Sequence, residues 1–345
     1  PGAGGVTETR LVRLTDLTAV VPNVAIHLNR KVNEGFQYNK QDHLRCILGG
    51  GGAAPDGGGS GQAGGHATGA SSRDAAVTDP GANADGPDGQ TGGDGDSSLL
   101  RTAVAAHLGV TADAILGMDL YLTDAAPARR LGQGGADSGD LFSARHIDNL
   151  AGCTTTLDAF MSSEATPWTQ IAVFFDNEEV GSRTYAGAQS GFLDRLLDRL
   201  VFATGGTMED AFRLRARSFL LSNDGAHAGH PNFRDKYDAA YLPRLGGGPV
   251  IKEHAGMSYT SRSDTAAHFR RACRAAEVPS QVFANRSDAR SGSTIGPIIQ
   301  TRSDLRSVDV GIPMLAMHSV RETAGVADLD LMTRAIAALY ALGPE

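Results

Sequence analysis

The chain has 345 residues, 41% of them hydrophobic and 20% charged, and a net charge of −8. That length supports one large domain or two smaller ones. The acidic balance argues against a nucleic-acid or anionic-membrane surface, and no apolar run approaches the ~20 residues that span a bilayer. Cys46, Cys153 and Cys273 are far apart, odd in number and not arranged as CxxC. They suggest neither a disulfide framework nor a thiolate zinc site, and a reducing compartment fits best.

In chain order, residues 1–48 read as folded, with a strand or two over the alternating Leu, Val and Thr of Thr9 to Val21. From Gly49 to Ser97 the composition turns to Gly, Ala, Asp and Ser. Such a segment buries too little apolar area to offset its ordering entropy, so it is expected to be a disordered insertion, with its lone His66 idle. Leu99 to Leu108 has helical spacing, with Gly109 as a cap, and Met118 to Leu122 reads as a strand. A Gly-rich stretch from Leu131 to Gly139 then marks a division. It separates an N-terminal domain, 1–138, from a C-terminal domain, 139–345. In the second, apolar strand candidates at Gln170–Phe175, Phe219–Ser222, Pro249–Lys252 and Ile312–Met317 alternate with amphipathic helices. Those helices are expected at Ala186–Ala203, Met208–Arg217, Asp264–Ala276 and Leu329–Leu342. That alternation predicts an α/β fold, a mostly parallel sheet flanked by helices.

In such sheets ligands bind beyond the carboxyl ends of the strands. Four polar clusters fall at comparable places: Arg145–Asn149, Glu178 and Glu179, Ser222–Asn232, and Met317–Glu322. Two adjacent glutamates at a strand end repel each other and resist desolvation unless something positive is present. Carboxylates and imidazoles from separate strand ends are what a zinc or similar dication needs. Each residue also has an ordinary explanation. Asp148 suits a helix cap, and His227 and His230 can be solvated or bonded to backbone. His318 can be a satisfied core histidine, Glu178 and Glu179 can pair with an arginine such as Arg321, and Lys252 can be a surface lysine at a strand end. Together at four strand ends, they favour metal-assisted hydrolysis.

Asp176–Ser182, the Asp224–Asn232 loop, Gly248–Lys252, Gly292–Pro297 and Met317–Glu322 resemble the M18 metallopeptidase family. That family holds the aspartyl aminopeptidases and the vacuolar aminopeptidase I type. Pro22–Arg30 and Asp119-Leu120-Tyr121 resemble its oligomerisation domain, and the likeness covers nearly the whole chain outside Gly49–Ser97. The resemblance implies a zinc-exopeptidase type of fold with an inserted β-rich oligomerisation domain. It implies two zinc ions per subunit in the full-length protein, with cobalt or manganese as alternatives.

Carried onto this sequence, Asp148 would bridge the two ions, Glu179 and His318 would complete one, and Asp224 would serve the other. Glu178 would be the general base. His27 resembles the histidine that reaches a neighbouring subunit's active site, and Lys252 the residue that reads an acidic substrate side chain. His227, His230 and Tyr259 match positions lining the site. The family's upstream His-Thr-Asp motif, which completes the second metal, is not found before Thr9. The chain is therefore expected to be an N-terminally truncated fragment that binds the metal of Asp224 poorly, with His146 as a nearby substitute donor. The leading expectation is a cytoplasmic zinc aminopeptidase that removes N-terminal Asp or Glu from peptides. It would be a homo-oligomer, by resemblance a tetrahedral dodecamer. The alternatives are a broader vacuolar aminopeptidase I type and a catalytically dead assembly or cargo protein.

Overall fold

The computed structural model of the chain describes residues 7–15, 17–25, 27–48, 94–133 and 139–344. The expected disordered insertion, His66 included, lies outside the described residues up to residue 93. The chain divides into two compact units, Pro1–Leu122 and Thr123–Glu345.

The first unit carries the short helices α1 (Val32–Gly35) and α2 (Lys40–His43) and the longer α3 (Asp94–Leu108). Asn39 caps α2, its side-chain oxygen accepting from the Gln41 and Asp42 backbone amides. The helix expected from Leu99 begins five residues earlier, at Asp94. The strands expected over Thr9–Val21 and Met118–Leu122 do not form ladders among the described residues. Their one pairing is the bridge between Val20 and Ile47. Alternation marks a strand, but without a paired neighbour the backbone is left irregular.

The second unit contains two sheets and six helices among the described residues. In chain order its elements are β1 (Arg129–Leu131), β2 (Leu141–Ala144), α4 (Ile147–Ser162), α5 (Phe192–Ala203) and α6 (Met208–Ala216). Then come β3 (Phe219–Asn223), β4 (Ala226–His227), β5 (Val250–Glu253), α7 (Ser263–Ala275) and β6 (Gln281–Ala284). The unit ends with α8 (Ile295–Ser303), β7 (Arg306–Gly311), β8 (Pro313–Leu315), β9 (Glu322–Gly325) and α9 (Val326–Leu342). One sheet has the order β1-β2-β9-β8-β4 and the other β3-β7-β5-β6. Pairing is parallel in β3·β7, β4·β8 and β5·β6 and antiparallel elsewhere, so both sheets are mixed.

Strand β3 shows why the core forms. Phe219 and Leu221 pack with the cluster of α4, α7 and α9, around Ala159, Phe269 and Met332. Leu220, one residue out of phase, packs with α5 and α8 through Leu197 and Ile299. A period of two with apolar residues on both faces is the signature of a doubly covered strand. Helix α6 starts where Thr207 and Asp210 form a reciprocal capping box.

Three expectations are corrected. The Gln170–Phe175 run lies in no strand ladder among the described residues, although Ile171, Val173 and Phe175 still pack against the α5–α8 cluster. The helix expected from Ala186 starts at Phe192, after turns at Gly187 and Gly191. The strand expected over Ile312–Met317 is the short β8, because β7 ends at Gly311.

Candidate metal centre

Asp148 sits at the start of α4, in the segment that leaves β2. Glu178 and Glu179 lie in the tight turn after the extended Ile171 segment, Asp224 directly follows β3, and His318 lies in the turn between β8 and β9. The local backbone is unusual at these points. His146, Asn177 and His318 have φ of 54°, 60° and 66°. Non-glycine residues adopt this left-handed region at a cost, and such strain gathers where a site needs it. Two glycines let the chain close in. A Cβ on Gly225 would come within 2.8 Å of Asp148 Oδ1, and one on Gly311 would collide with the Asp224 carbonyl.

The geometry gathers three potential ligands. Asp148, Glu179 and His318 each offer one ligand atom, all within 4.8 Å of one another. His318 Nε2 lies 3.2 Å from Asp148 Oδ2 and 3.2 Å from Glu179 Oε2. A tetrahedral zinc with bonds of about 2.0–2.1 Å holds its ligand atoms about 3.3 Å apart, so the spacing suits such an ion. The Asp148 Oδ1 atom is buried without a hydrogen-bond partner. An orphaned carboxylate oxygen in a cluster of acids fits a cation better than it fits a packed core. The residues present therefore fit a zinc ion.

The electrostatics agree. Burial first, then the Asp224 and Glu179 charges, push the Asp148 pKa up to about 8. Burial with the same Asp224 and Glu179 charges pushes Glu178 up to about 7. Without a positive partner, these carboxyls resist ionisation together. Arg321, an ordinary candidate for that partner, is engaged elsewhere: it bonds Asp124 Oδ2 at 2.6 Å and the Ala126, Pro127 and Ser143 carbonyls.

Lys252 is the cation nearest Asp224, and the structure puts it under the site rather than at a surface strand end. Only 2% exposed, its ammonium donates to the Asp224 and Gly225 carbonyls at 3.1 Å and to Asp224 Oδ2 at 3.4 Å. These acceptors match its three N–H donors. Burial opposes the charge, but Asp224 and Asp309 outweigh it and raise the pKa. Tyr259, also buried, places its ring 5.4 Å from the ammonium.

The remaining expected residues are more dispersed. His227 packs its ring 5.5 Å from Phe283, and desolvation and the Lys252 charge depress its pKa. His230 lies with its ring centroid 4.8 Å from that of Phe233, the two planes tilted by 58°, and accepts from the Asn232 amide, which is the backbone-bonded arrangement. His27 is an exposed residue of the first unit. His146 is exposed and does not join the ligand cluster. Glu178, Glu179, Asp224 and Asn149 border a cavity of about 1200 Å³, which the extended Ile171–Phe175 segment and β3 also line. Sequence reasoning assigned no role to Glu322, which is buried and bonds the backbone amides of both Asp148 and His318.

The family model of the aminopeptidase I zinc metalloproteases (M18) matches residues 2–340. The chain belongs to this family. A probable M18 family aminopeptidase 2 of Clostridium novyi (strain NT) is 37% identical over 321 residues, 93% of this chain. The M18 chain here spans 64% of that relative's length. Among solved structures, Ape4 in its complex with Nbr1 aligns with a TM-score of 0.74 and 27% identity, over 93% of this chain and 57% of that one. The mApe1 dodecamer of S. cerevesiae aligns with a TM-score of 0.60 at 24% identity, over 71% of this chain and 55% of that one.

Proposed function

We propose that the protein is a zinc aminopeptidase, hydrolysing the first peptide bond of a peptide substrate. The observation that carries this reading is the convergence of Asp148, Glu179 and His318 on one point beside the half-buried Glu178. Asp148, Glu179 and His318 would hold one zinc ion. Asp224, beside Asp148, would serve a second that Asp148 bridges. Bound zinc supplies the charge that polarises the scissile carbonyl and makes water acidic enough to attack at neutral pH.

The protein's own residues manage the proton. Glu178, half-buried beside the ligand cluster, accepts a proton from the attacking water as the water oxygen bonds to the carbonyl carbon. It returns that proton to the amine nitrogen as the C–N bond breaks, which is the general base and then general acid role of a positioned carboxylate. The Lys252 ammonium holds Asp224 and the Gly225 carbonyl in place.

Substrate choice has two readings. Family resemblance to the aspartyl aminopeptidases favours N-terminal Asp or Glu, with Lys252 pairing the substrate carboxylate and Tyr259, His227 and His230 lining the pocket. The full set of acceptors already on Lys252 favours the second reading, a broader preference of the aminopeptidase I type. Assembly follows the same lines. We infer a homo-oligomer built through the N-terminal domain, 1–138, with the catalytic domain at 139–345 and His27 reaching a neighbouring subunit's site. Leu11, Leu28, Leu116 and Tyr121 of the first unit are exposed, and burying such apolar area against another copy would be favourable. A tetrahedral dodecamer in the cytoplasm is the form this inference takes. No helix among the described residues is long and apolar enough to cross a membrane.

Hydrolysis of aspartyl, glutamyl and leucyl anilides with zinc supplied, with and without chelator, tests the proposal. Chelator-sensitive cleavage is expected. A preference for the acidic substrates that Lys252→Ala removes would assign selection to that lysine, and a leucyl preference would establish the broader type. A zinc-loaded particle that cleaves none of the three would leave a catalytically dead assembly protein as the better account.

A further inference from the structure

We propose that Glu322 is a positioning residue that sets the geometry of the metal centre by tying the backbones of two ligands to one carboxylate. The proposal rests on the zinc reading above and assigns a role within that site.

Glu322 opens β9, which lies between β2 and β8 in its sheet. It pairs with Ala144, the last residue of β2, and the adjacent Thr323 pairs with Leu315, the last residue of β8. The chain leaving β2 reaches Asp148 four residues after Ala144, and the chain leaving β8 reaches His318 three residues after Leu315. The middle strand therefore starts where the two ligand-bearing loops leave its neighbours. Glu322 Oε2 accepts the Asp148 amide at 2.8 Å, and Oε1 accepts the His318 amide at 2.8 Å.

Simple satisfaction of two amides does not require a charged group. A carbonyl or a water can accept from each, whereas a carboxylate only 2% exposed carries a heavy desolvation penalty. A single carboxylate adds a fixed distance between its two oxygens. That fixes the separation of the two ligand backbones and holds His318 in its left-handed conformation, φ 66°. The preceding residue holds the clasp itself. Arg321 bonds Asp124 and the carbonyls of Ala126, Pro127 and Ser143, which anchors the start of β9 to β2 and to the segment before β1. Partners outside the ligand set orient metal ligands, and losing one commonly weakens affinity by about 10–100-fold.

The test is zinc affinity by chelator competition and the visible spectrum of the cobalt-substituted protein, for wild type, Glu322→Gln, Glu322→Asp and His318→Ala. Glu322→Gln keeps the size and one acceptor but turns an NH2 toward one of the two amides. Glu322→Asp keeps the charge on a shorter arm. Both are expected to bind zinc about 10–100-fold more weakly, with a shifted cobalt spectrum and an unchanged circular dichroism spectrum. The spectral shift is the readout that a merely structural role would leave alone. Wild-type affinity and an unaltered cobalt spectrum in both variants would overturn the assignment while leaving the zinc reading intact. Failure of wild type to bind zinc above the level of His318→Ala would overturn the zinc reading and this proposal with it. If the variants do not fold, amide exchange in the unaltered chain decides. Strong protection of both the Asp148 and His318 amides supports the clasp, and exchange as fast as free amides refutes it.

Discussion

Asp148 and Asp309 are buried carboxylates of the same unit with opposite surroundings. Every oxygen of Asp309 is met by a neutral donor. Oδ2 accepts from the Thr260 amide at 2.6 Å and the Thr260 hydroxyl at 2.9 Å, and Oδ1 accepts from the Thr294 hydroxyl at 2.8 Å. Asp148 has an unpartnered Oδ1, and Asp224, Glu179 and Glu322 press their negative charge on it. The first arrangement is complete in itself and joins β7 to the segments before α7 and α8. The second is incomplete, and a cation is what completes it. A buried acid satisfied by neutral donors belongs to the framework, while one crowded by other acids marks a place built for positive charge.

The largest effect should come from the proton carrier beside the incomplete acid. Glu178→Gln removes the carboxylate but neither the Asp148 cluster nor the fold, so zinc should still bind. Turnover should fall by about 10²–10⁴-fold, the usual contribution of general acid–base catalysis. Retained turnover at full zinc occupancy would show that Glu178 does not carry the proton.

The next pair sharpens the contrast through stability of the metal-free protein. Asp309→Asn turns an NH2 toward a donor that now has an acceptor, and should cost about 2–3 kcal/mol. Asp148→Asn should act in the opposite direction. The Asp148 pKa rises from an ordinary 3.8 to about 8 in the fold. Its contribution to stability is thus fully present below about pH 4 and lost as pH rises through about 8. An uncharged side chain escapes that loss, so Asp148→Asn should stabilise the metal-free protein at pH 9 by several kcal/mol and do little near pH 4. Urea unfolding at both ends of the range measures the two signs, and destabilisation by both variants at pH 9 would erase the distinction.

How much of this the sequence reveals depends on the kind of signal. The helical spacing of Met208–Arg217 and Asp264–Ala276 anticipates α6 and α7 within a residue or so, and the apolar run of Phe219–Ser222 anticipates β3. Strand β7 escapes notice because Ser307 and Asp309 interrupt its apolar pattern, and the donors that make Asp309 tolerable inside come from the tertiary fold. Helix α4 escapes because its opening, Arg145–Asn149, looks like a polar loop. The Gln170–Phe175 run misleads in the other direction, since apolar character packs side chains but does not supply a pairing edge. At the site, the polar clusters at strand ends are visible in the sequence, and Asp148, Glu179 and His318 come together in space. The role of Glu322 is not visible, because its bonds go to backbone amides that carry no residue type. Lys252 looks like a surface cation because burial beneath Asp224 depends on the fold of the Asp224–Gly225 turn.

The smallest effect follows from the protons that the incomplete acid holds while it waits for a cation. With Asp148 at about 8 and Glu178 at about 7, the metal-free cluster is partly protonated at neutral pH. Zinc needs Asp148 ionised, so binding must release about one proton near pH 7. Affinity should therefore rise with pH, by up to about tenfold or 1.4 kcal/mol per unit, until it levels off above about pH 8. Titration calorimetry in buffers of different ionisation enthalpy counts that proton. Asp309→Asn should leave the count unchanged, because the framework acid gives nothing to the metal. Asp148→Asn should abolish the release along with most of the affinity. A heat of binding independent of buffer would mean that the cluster is already ionised, and the contrast between the two acids would then rest on geometry alone.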